Sequence, residues 1–341
     1  MRVGIIGAGL QGKRRAPAIQ AFPESELVVV SSAHMESAQA LASKIGCEAA
    51  VGWESVVERK DLDAVVVCTP PHLHAQISIE AMRGGKHVLC EKPLARTIDE
   101  GQAMVKAAET YRMKLKCGFN HRHHPAVQKG REWVDQGKIG EPYYVRCRYG
   151  IAGRPGYEKE WRADPRVVGG GHLMEQGIHA IDLSRWFLGE VTNVAAFLGN
   201  YYWKTGPLED NAFVLMKMRN GKVALIHSSL TQWKNLFCFE VFGSEGYIII
   251  EGLGGSYGTE RAILGRREFL KPFAEKIVEF RGEDRSWYEE WREFVASIEE
   301  NREPLGNGYD GLAAMQLVQA AYEYSQKDGS VNLASTRSKR H

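Results

Sequence analysis

The sequence predicts an α/β fold: a doubly wound parallel sheet at the N-terminus, then an α/β domain with an open, mostly antiparallel sheet. Three observations predict it. Short, nearly continuous apolar strands alternate with helices over the first third of the chain, a pattern that requires a parallel sheet buried on both faces. A glycine-rich turn follows the first of these strands. After about Phe119 the pattern changes to longer strands joined by tight turns.

Residues 2–6 form a short apolar strand and 12–21 a helix. Residues 26–31 are the second strand, and the alanine-rich 37–44 a helix. The strand 64–68 stops at Thr69-Pro70-Pro71, because proline has no N–H with which to continue a ladder. A helix over 72–83 closes at Gly84-Gly85, and 87–90 is the next strand. Thr97 and Glu100 form a T-x-x-E capping box in which each side chain satisfies an orphan donor, so a helix runs on to about Tyr111. Residues 115–118 are the last strand of this series. Beyond it, 124–136 and 175–187 read as helices. Strands 210–218 and 222–233 join at Asn220-Gly221, the strongest short hairpin signal. Strands 236–242 and 247–252 join at Gly243-Ser244-Glu245-Gly246. Helices over 287–300 and 311–324 are expected to cover one face of this second sheet.

The 341 residues therefore divide into domains 1–119 and 120–333, with a polar, basic tail at 334–341 expected to be disordered. With 44% hydrophobic and 25% charged residues the chain has the balance of an ordinary globular protein with a full core. A net charge of +2 supplies no basic face for nucleic acid or an anionic membrane. No run approaches the roughly 18 apolar residues of a membrane span. The chain begins directly in a strand, without a signal-peptide apolar stretch, so a cytoplasmic location is expected. Six cysteines without CxxC spacing are expected to be reduced thiols rather than a zinc site.

Gly7-Ala8-Gly9-Leu10-Gln11-Gly12 matches GxGxxG between a strand and a helix. Gly7 permits the tight turn, Gly9 lets the backbone approach a pyrophosphate, and Gly12 lets helix and strand pack closely. The helix N-terminus then offers free N–H groups to the anion. An NAD site usually carries an acid about twenty residues further on, to hold the ribose 2′-hydroxyl. Ser32 stands there instead, which removes repulsion of a 2′-phosphate, yet no arginine follows it. The balance leans towards NAD over NADP.

Glu91-Lys92-Pro93 sits where the strand 87–90 ends, the side on which doubly wound sheets bind ligands. A partly buried lysine shifts its pKa readily and suits proton transfer or alkoxide stabilisation. The alternative is a surface lysine in a turn. Gly169-Gly170-Gly171 precedes Glu175, His179 and Asp182, spaced i, i+4 and i+7 and hence on one helical face. Glu175 one turn from His179 would orient its imidazole. From the residues alone three readings stay open: catalysis, a satisfied core histidine with an ion-paired Asp182, and a divalent metal site.

Gly7 to Gly12, Thr69-Pro70 followed by His74, Glu91-Lys92-Pro93, and GGGxxxExGxHxxD from Gly169 to Asp182 together resemble the glucose–fructose oxidoreductase / inositol dehydrogenase (Gfo/Idh/MocA) family. The resemblance spans roughly residues 2–333. It implies a Rossmann domain followed by a domain built on an open sheet. It implies Lys92 and His179 as the catalytic pair, with Glu175 and Asp182 in support. Cofactor contacts are expected from Gly7, Gly9, Leu10, Gln11, Gly12, Ser32, Thr69, Pro70, His74, Glu91 and Lys92. Substrate contacts are expected from Asn120, Arg122, Trp161, Arg162, Glu175 and His179, and no metal. Three departures stand out: Glu175 where aspartate is usual, Pro71 where asparagine is common, and Ser32 in place of the acid.

The implied activity is hydride transfer between NAD(P) and a secondary hydroxyl of a sugar, amino sugar, sugar nucleotide or cyclitol. His179 would take the hydroxyl proton and Lys92 would stabilise the alkoxide, and the exchanged roles also fit. The alternatives are an NAD-dependent glycosidase acting by transient oxidation, a non-catalytic cofactor-binding sensor, and a metal hydrolase on Glu175, His179 and Asp182. The uncovered sheet face predicts a homodimer or homotetramer.

Overall fold

The computed structural model describes residues 1–271 and 274–327, so the expected tail at 334–341 lies outside the described residues. The first sheet holds β1 (Arg2–Ile6), β2 (Glu26–Ser32), β3 (Glu48–Val51), β4 (Ala64–Val67), β5 (His87–Cys90) and β6 (Leu115–Cys117). All its ladders are parallel, in the order β3-β2-β1-β4-β5-β6. The connecting helices are α1 (Leu10–Gln20), α2 (Met35–Ile45), α3 (Glu54–Val57), α4 (His74–Arg83) and α5 (Ile98–Tyr111). The α5 capping box forms: Thr97 Oγ1 accepts the Glu100 N–H, and the Glu100 carboxylate accepts the Thr97 N–H, both at 3.2 Å. Strand order reverses between β1 and β4, which opens a crevice at their carboxyl ends.

The second half begins with α6 (Pro125–Asp135) and β7 (Pro142–Gly150). Next come α7 (Pro165–Val168), α8 (Ile178–Leu188), β8 (Val191–Gly199), β9 (Asn211–Met218) and β10 (Val223–Ser229). Strands β11 (Leu236–Gly243), β12 (Gly246–Glu251), β13 (Glu260–Arg266) and β14 (Glu275–Phe280) follow, then α9 (Ser286–Glu299) and α10 (Gly308–Gln326). The sheet order is β14-β13-β12-β11-β7-β10-β9-β8, antiparallel except for the β7–β10 pair. The Asn220-Gly221 hairpin joins β9 to β10 as expected. α6, α8 and α10 pack on one face of this sheet. On the other face Phe197, Phe213, Leu215 and Leu225 are exposed in the single chain.

The structure departs from expectation in three ways. Strands β3, β7, β8, β13 and β14 lie where the sequence pattern gave no strand; in β8, β13 and β14, apolar and polar residues mix on both faces. Helix α9 does not cover the second sheet. Its Trp291, Phe294 and Val295 join Val3, Ile5, Ala16 and Leu27 in a core of the first sheet, since an amphipathic stripe fixes which face is buried but not against what. Finally, the residues ahead of α8, Leu173–Gly177, form a π-helical turn.

Candidate active site

Gly7 follows β1 with φ +112°, and a Cβ there would lie 2.7 Å from the Cys68 backbone. Gly12 faces back onto the turn, where a Cβ would meet the Gly7 carbonyl at 2.1 Å. Gly9, by contrast, faces open space and caps α1 without a side-chain hydrogen bond. The first-turn N–H groups of α1 therefore point into free volume, as an anion site requires.

From this turn a cavity of about 400 Å³ runs past Ser32, between Thr69-Pro70 and Trp161-Arg162, to Lys92 and Glu175. Gly7, Gly9, Leu10, Gln11 and Glu91 also line it. Gln11 Oε1 and Thr69 Oγ1 are buried here without hydrogen-bond partners. The open glycine turn, the uncapped helix and these orphaned oxygens fit a dinucleotide, whose polar groups would satisfy them.

Of the residues expected to touch a cofactor, His74 and Gly12 lie behind the wall. His74 bridges the carbonyl oxygens of Thr69 at 2.8 Å and Pro93 at 2.9 Å, tying the end of β4 to the end of β5. Glu91 is held by Arg15 at 2.6 Å, and Arg15 reaches Glu290 of α9 at 2.9 Å. These buried pairs fix the strand end from which Lys92 projects.

Lys92 Nζ donates to the backbone carbonyl of Glu175. Burial draws the Lys92 pKa down, with Glu175 acting in the other direction. The Glu175 carboxylate accepts from Tyr157 Oη at 2.5 Å and Arg162 Nε at 2.7 Å. Burial pushes its pKa up, but Lys92, Arg162 and Tyr157 hold it below the usual value.

Glu175 does not orient His179. The wider π turn shifts Glu175 out of phase with α8, so the i, i+4 face drawn from a regular helix does not form. His179 instead stacks on His121, with ring centroids 3.8 Å apart. Its Nδ1 makes no hydrogen bond. Burial, then His121 and Lys92, hold His179 well below the usual imidazole pKa. It lies within electrostatic reach of Lys92 but is packed away from the cavity wall.

Asp182 and Arg122 are also placed differently from expectation. They form a buried bidentate pair at 2.7 and 2.5 Å, and Arg122 also approaches Asp310 at 3.2 Å. Neither is free to hold substrate. Asn120 is buried and donates to Ser286 of α9 at 2.9 Å. Glu175 and Asp182 are paired with different arginines and His179 stacks on His121, so the three do not converge as a metal site requires. Among the described residues no cluster of His, Cys, Asp and Glu could hold a metal ion. Nor is any described helix long and apolar enough to cross a membrane.

Tyr157, His121 and Tyr149, whose hydroxyl lies 3.0 Å from His121 Nε2, escaped sequence reasoning. The polar run Asn120 to His124 is the one sequence feature that could have pointed to His121, but it does not say which of its members meets His179.

Residues 1–119 match the family described as "Oxidoreductase family, NAD-binding Rossmann fold", and 127–249 match the "GFO/IDH/MocA C-terminal domain". The chain belongs to the Gfo/Idh/MocA family. The resemblance carried by the glycine turn, EKP and the glycine–acid–histidine motif is thereby borne out. Levoglucosan dehydrogenase of Pseudarthrobacter phenanthrenivorans is 30% identical over 284 residues, 73% of each chain. Inositol 2-dehydrogenase of Rhizobium meliloti is 29% identical over 344 residues, 98% of this chain and 99% of the relative. A solved levoglucosan dehydrogenase complex with NADH and levoglucosan matches this Gfo/Idh/MocA chain with TM-score 0.88 at 25% identity. That match covers 96% of this chain and 97% of the other.

Proposed function

We propose that this Gfo/Idh/MocA oxidoreductase transfers a hydride between NAD and a secondary hydroxyl of a sugar or cyclitol. One observation carries the reading: the cavity that starts at the glycine turn ends on Lys92, an ionisable group whose pKa burial has lowered. The names of the relatives, levoglucosan and inositol dehydrogenases, support the substrate class.

The bound cofactor supplies the hydride acceptor or donor at its nicotinamide. Lys92 meets the substrate hydroxyl, stabilises developing alkoxide charge and exchanges its proton. His179, kept neutral, lies behind the cavity wall within electrostatic reach of Lys92, so Lys92 alone of the pair meets the substrate. Trp161 and Arg162 line the same cavity as Lys92 and would lie against the bound substrate.

Cofactor choice follows from the Ser32 corner. Arg15 is committed to Glu91 and Glu290, and Arg14 lies over the Trp287 ring, 5.8 Å from its centroid. Ser31, Ala33, Gly52 and Trp53, which line the cavity beside Ser32, carry no positive charge for a 2′-phosphate, which favours NAD. The exposed Phe197, Phe213, Leu215 and Leu225 face supports a homo-oligomer built through the second sheet. A light-scattering mass of 38.2 kDa, one chain, would contradict that.

The test is a screen of sugars, cyclitols and sugar nucleotides with NAD⁺ and NADP⁺, read by nicotinamide absorbance. Net reduction with a polyol and NAD⁺ is expected. Release of free sugar without net reduction would replace the reading with a glycosidase, and tighter binding of NADPH than of NADH would reverse the cofactor assignment.

A further inference from the structure

At the substrate end of the cavity the one guanidinium already has its counter-ion. Arg162 Nε donates to Glu175 at 2.7 Å, and its Nη1 lies 3.5 Å from Glu160. Its guanidinium also sits 4.3 Å from the Trp161 ring centroid. Arg154, on the same loop, donates from Nε and Nη2 to Glu160, at 2.6 and 2.5 Å. Tyr157 donates its one hydroxyl proton to Glu175. Lys92 donates to the Glu175 carbonyl.

A phosphate or carboxylate on a ligand is normally gripped by an unengaged guanidinium fork. Arg162, the one guanidinium among the described residues lining this cavity, is already in an ion pair. An incoming anion would displace Glu175 from Arg162 or face its carboxylate at close range in a part-buried site. A neutral polyol meets no such repulsion, because its hydroxyls both donate and accept.

We propose that Glu175 is a specificity-determining residue: a built-in counter-ion for Arg162 that makes the site select uncharged sugars or cyclitols. Their phosphorylated, nucleotide-linked and carboxylated counterparts are disfavoured. The proposal rests on the oxidoreductase reading only for where the substrate sits.

Calorimetric titration of the protein with saturating NADH tests it on matched pairs: myo-inositol against an inositol phosphate, and glucose against glucose 6-phosphate and glucuronate. At least one uncharged member is expected to bind, about tenfold or more tighter than its anionic counterpart. Glu175→Gln keeps the size, frees Arg162 and should collapse that ratio towards one or below. Should that variant not fold, Arg162→Gln leaves Glu175 without its guanidinium and should widen the ratio. Anionic members that bind wild type as tightly as their uncharged partners would overturn the proposal. So would a panel in which no uncharged member binds, or a ratio unmoved in a folded variant. Binding is read without turnover, so an uncharged sugar that binds yet never reduces NAD⁺ sinks the redox reading and leaves this one standing.

Discussion

Lys92 Nζ is hydrogen-bonded to the main-chain carbonyl of Glu175, across 83 positions of sequence. The bond joins the end of β5 to the π turn ahead of α8, so the two halves of the chain meet at the wall of one cavity.

Replacing that lysine tests its role. Lys92→Ala should lower turnover by roughly 100- to 10,000-fold, the usual worth of a positioned acid–base group. NADH affinity, read by fluorescence titration, should change only a few-fold, because the glycine turn is untouched. Burial lowers the Lys92 pKa, so the wild-type turnover profile should show an alkaline limb below the ordinary lysine range. The limb should vanish in the variant, and near-full turnover in Lys92→Ala would remove the residue from the chemistry.

Two glycines of the turn should separate cofactor binding from stability. A Cβ at Gly9 meets nothing within 4 Å of protein, so Gly9→Ala should melt like wild type while weakening NADH binding by about tenfold or more. A Cβ at Gly12 lies 2.1 Å from the Gly7 carbonyl, so Gly12→Ala should destabilise by about 1–3 kcal/mol, as overpacking does. Denaturant melts beside NADH titrations check both, and equal melting of the two variants would contradict the geometry.

Asp182→Ala leaves the Arg122 guanidinium buried with its bidentate partner gone. A cost of about 3–5 kcal/mol is expected, seen as a large fall in denaturation midpoint. The KM of the folded fraction should stay near wild type. An unchanged midpoint with a raised KM would return the pair to the substrate site.

Glu209 accepts the Leu173 N–H at 2.7 Å and the Tyr322 hydroxyl at 3.1 Å, which holds the start of the π turn. Burial pushes its pKa from 4.5 up to about 7. The folded state thus keeps a proton that the unfolded chain releases. Its contribution is complete below the unfolded value and is lost as pH rises through 7, by roughly 3 kcal/mol. Urea melts of wild type between pH 5 and pH 8 should therefore weaken with pH. The slope should flatten in Glu209→Gln, and an unchanged slope would assign it to another group.

The first sheet was legible almost strand by strand, because a parallel sheet buried on both faces writes itself as apolar runs between helices. β3 was the exception, a short edge strand with no fully buried residue. β8 was missed because exposed and part-buried residues share its faces irregularly, and β7 because two adjacent exposed tyrosines, Tyr143 and Tyr144, break its alternation. In the site, the glycine turn and Lys92 were legible because each belongs to a strand end whose direction the sheet fixes. Tyr157 was not, since it sits in a loop with no periodicity to place it.

The order of residues alone determined the alternation of strand and helix, the glycine-rich turn and the identity of the ionisable groups. Their pairing was decided by tertiary structure. Asp182 went to Arg122, Glu175 to Arg162 and Tyr157, His179 to His121, and α9 to the first sheet rather than the second. The reason is physical. Periodicity gives the phase of a side chain around its own helix, whereas a partner arrives from a distant segment, and one π turn is enough to reset that phase.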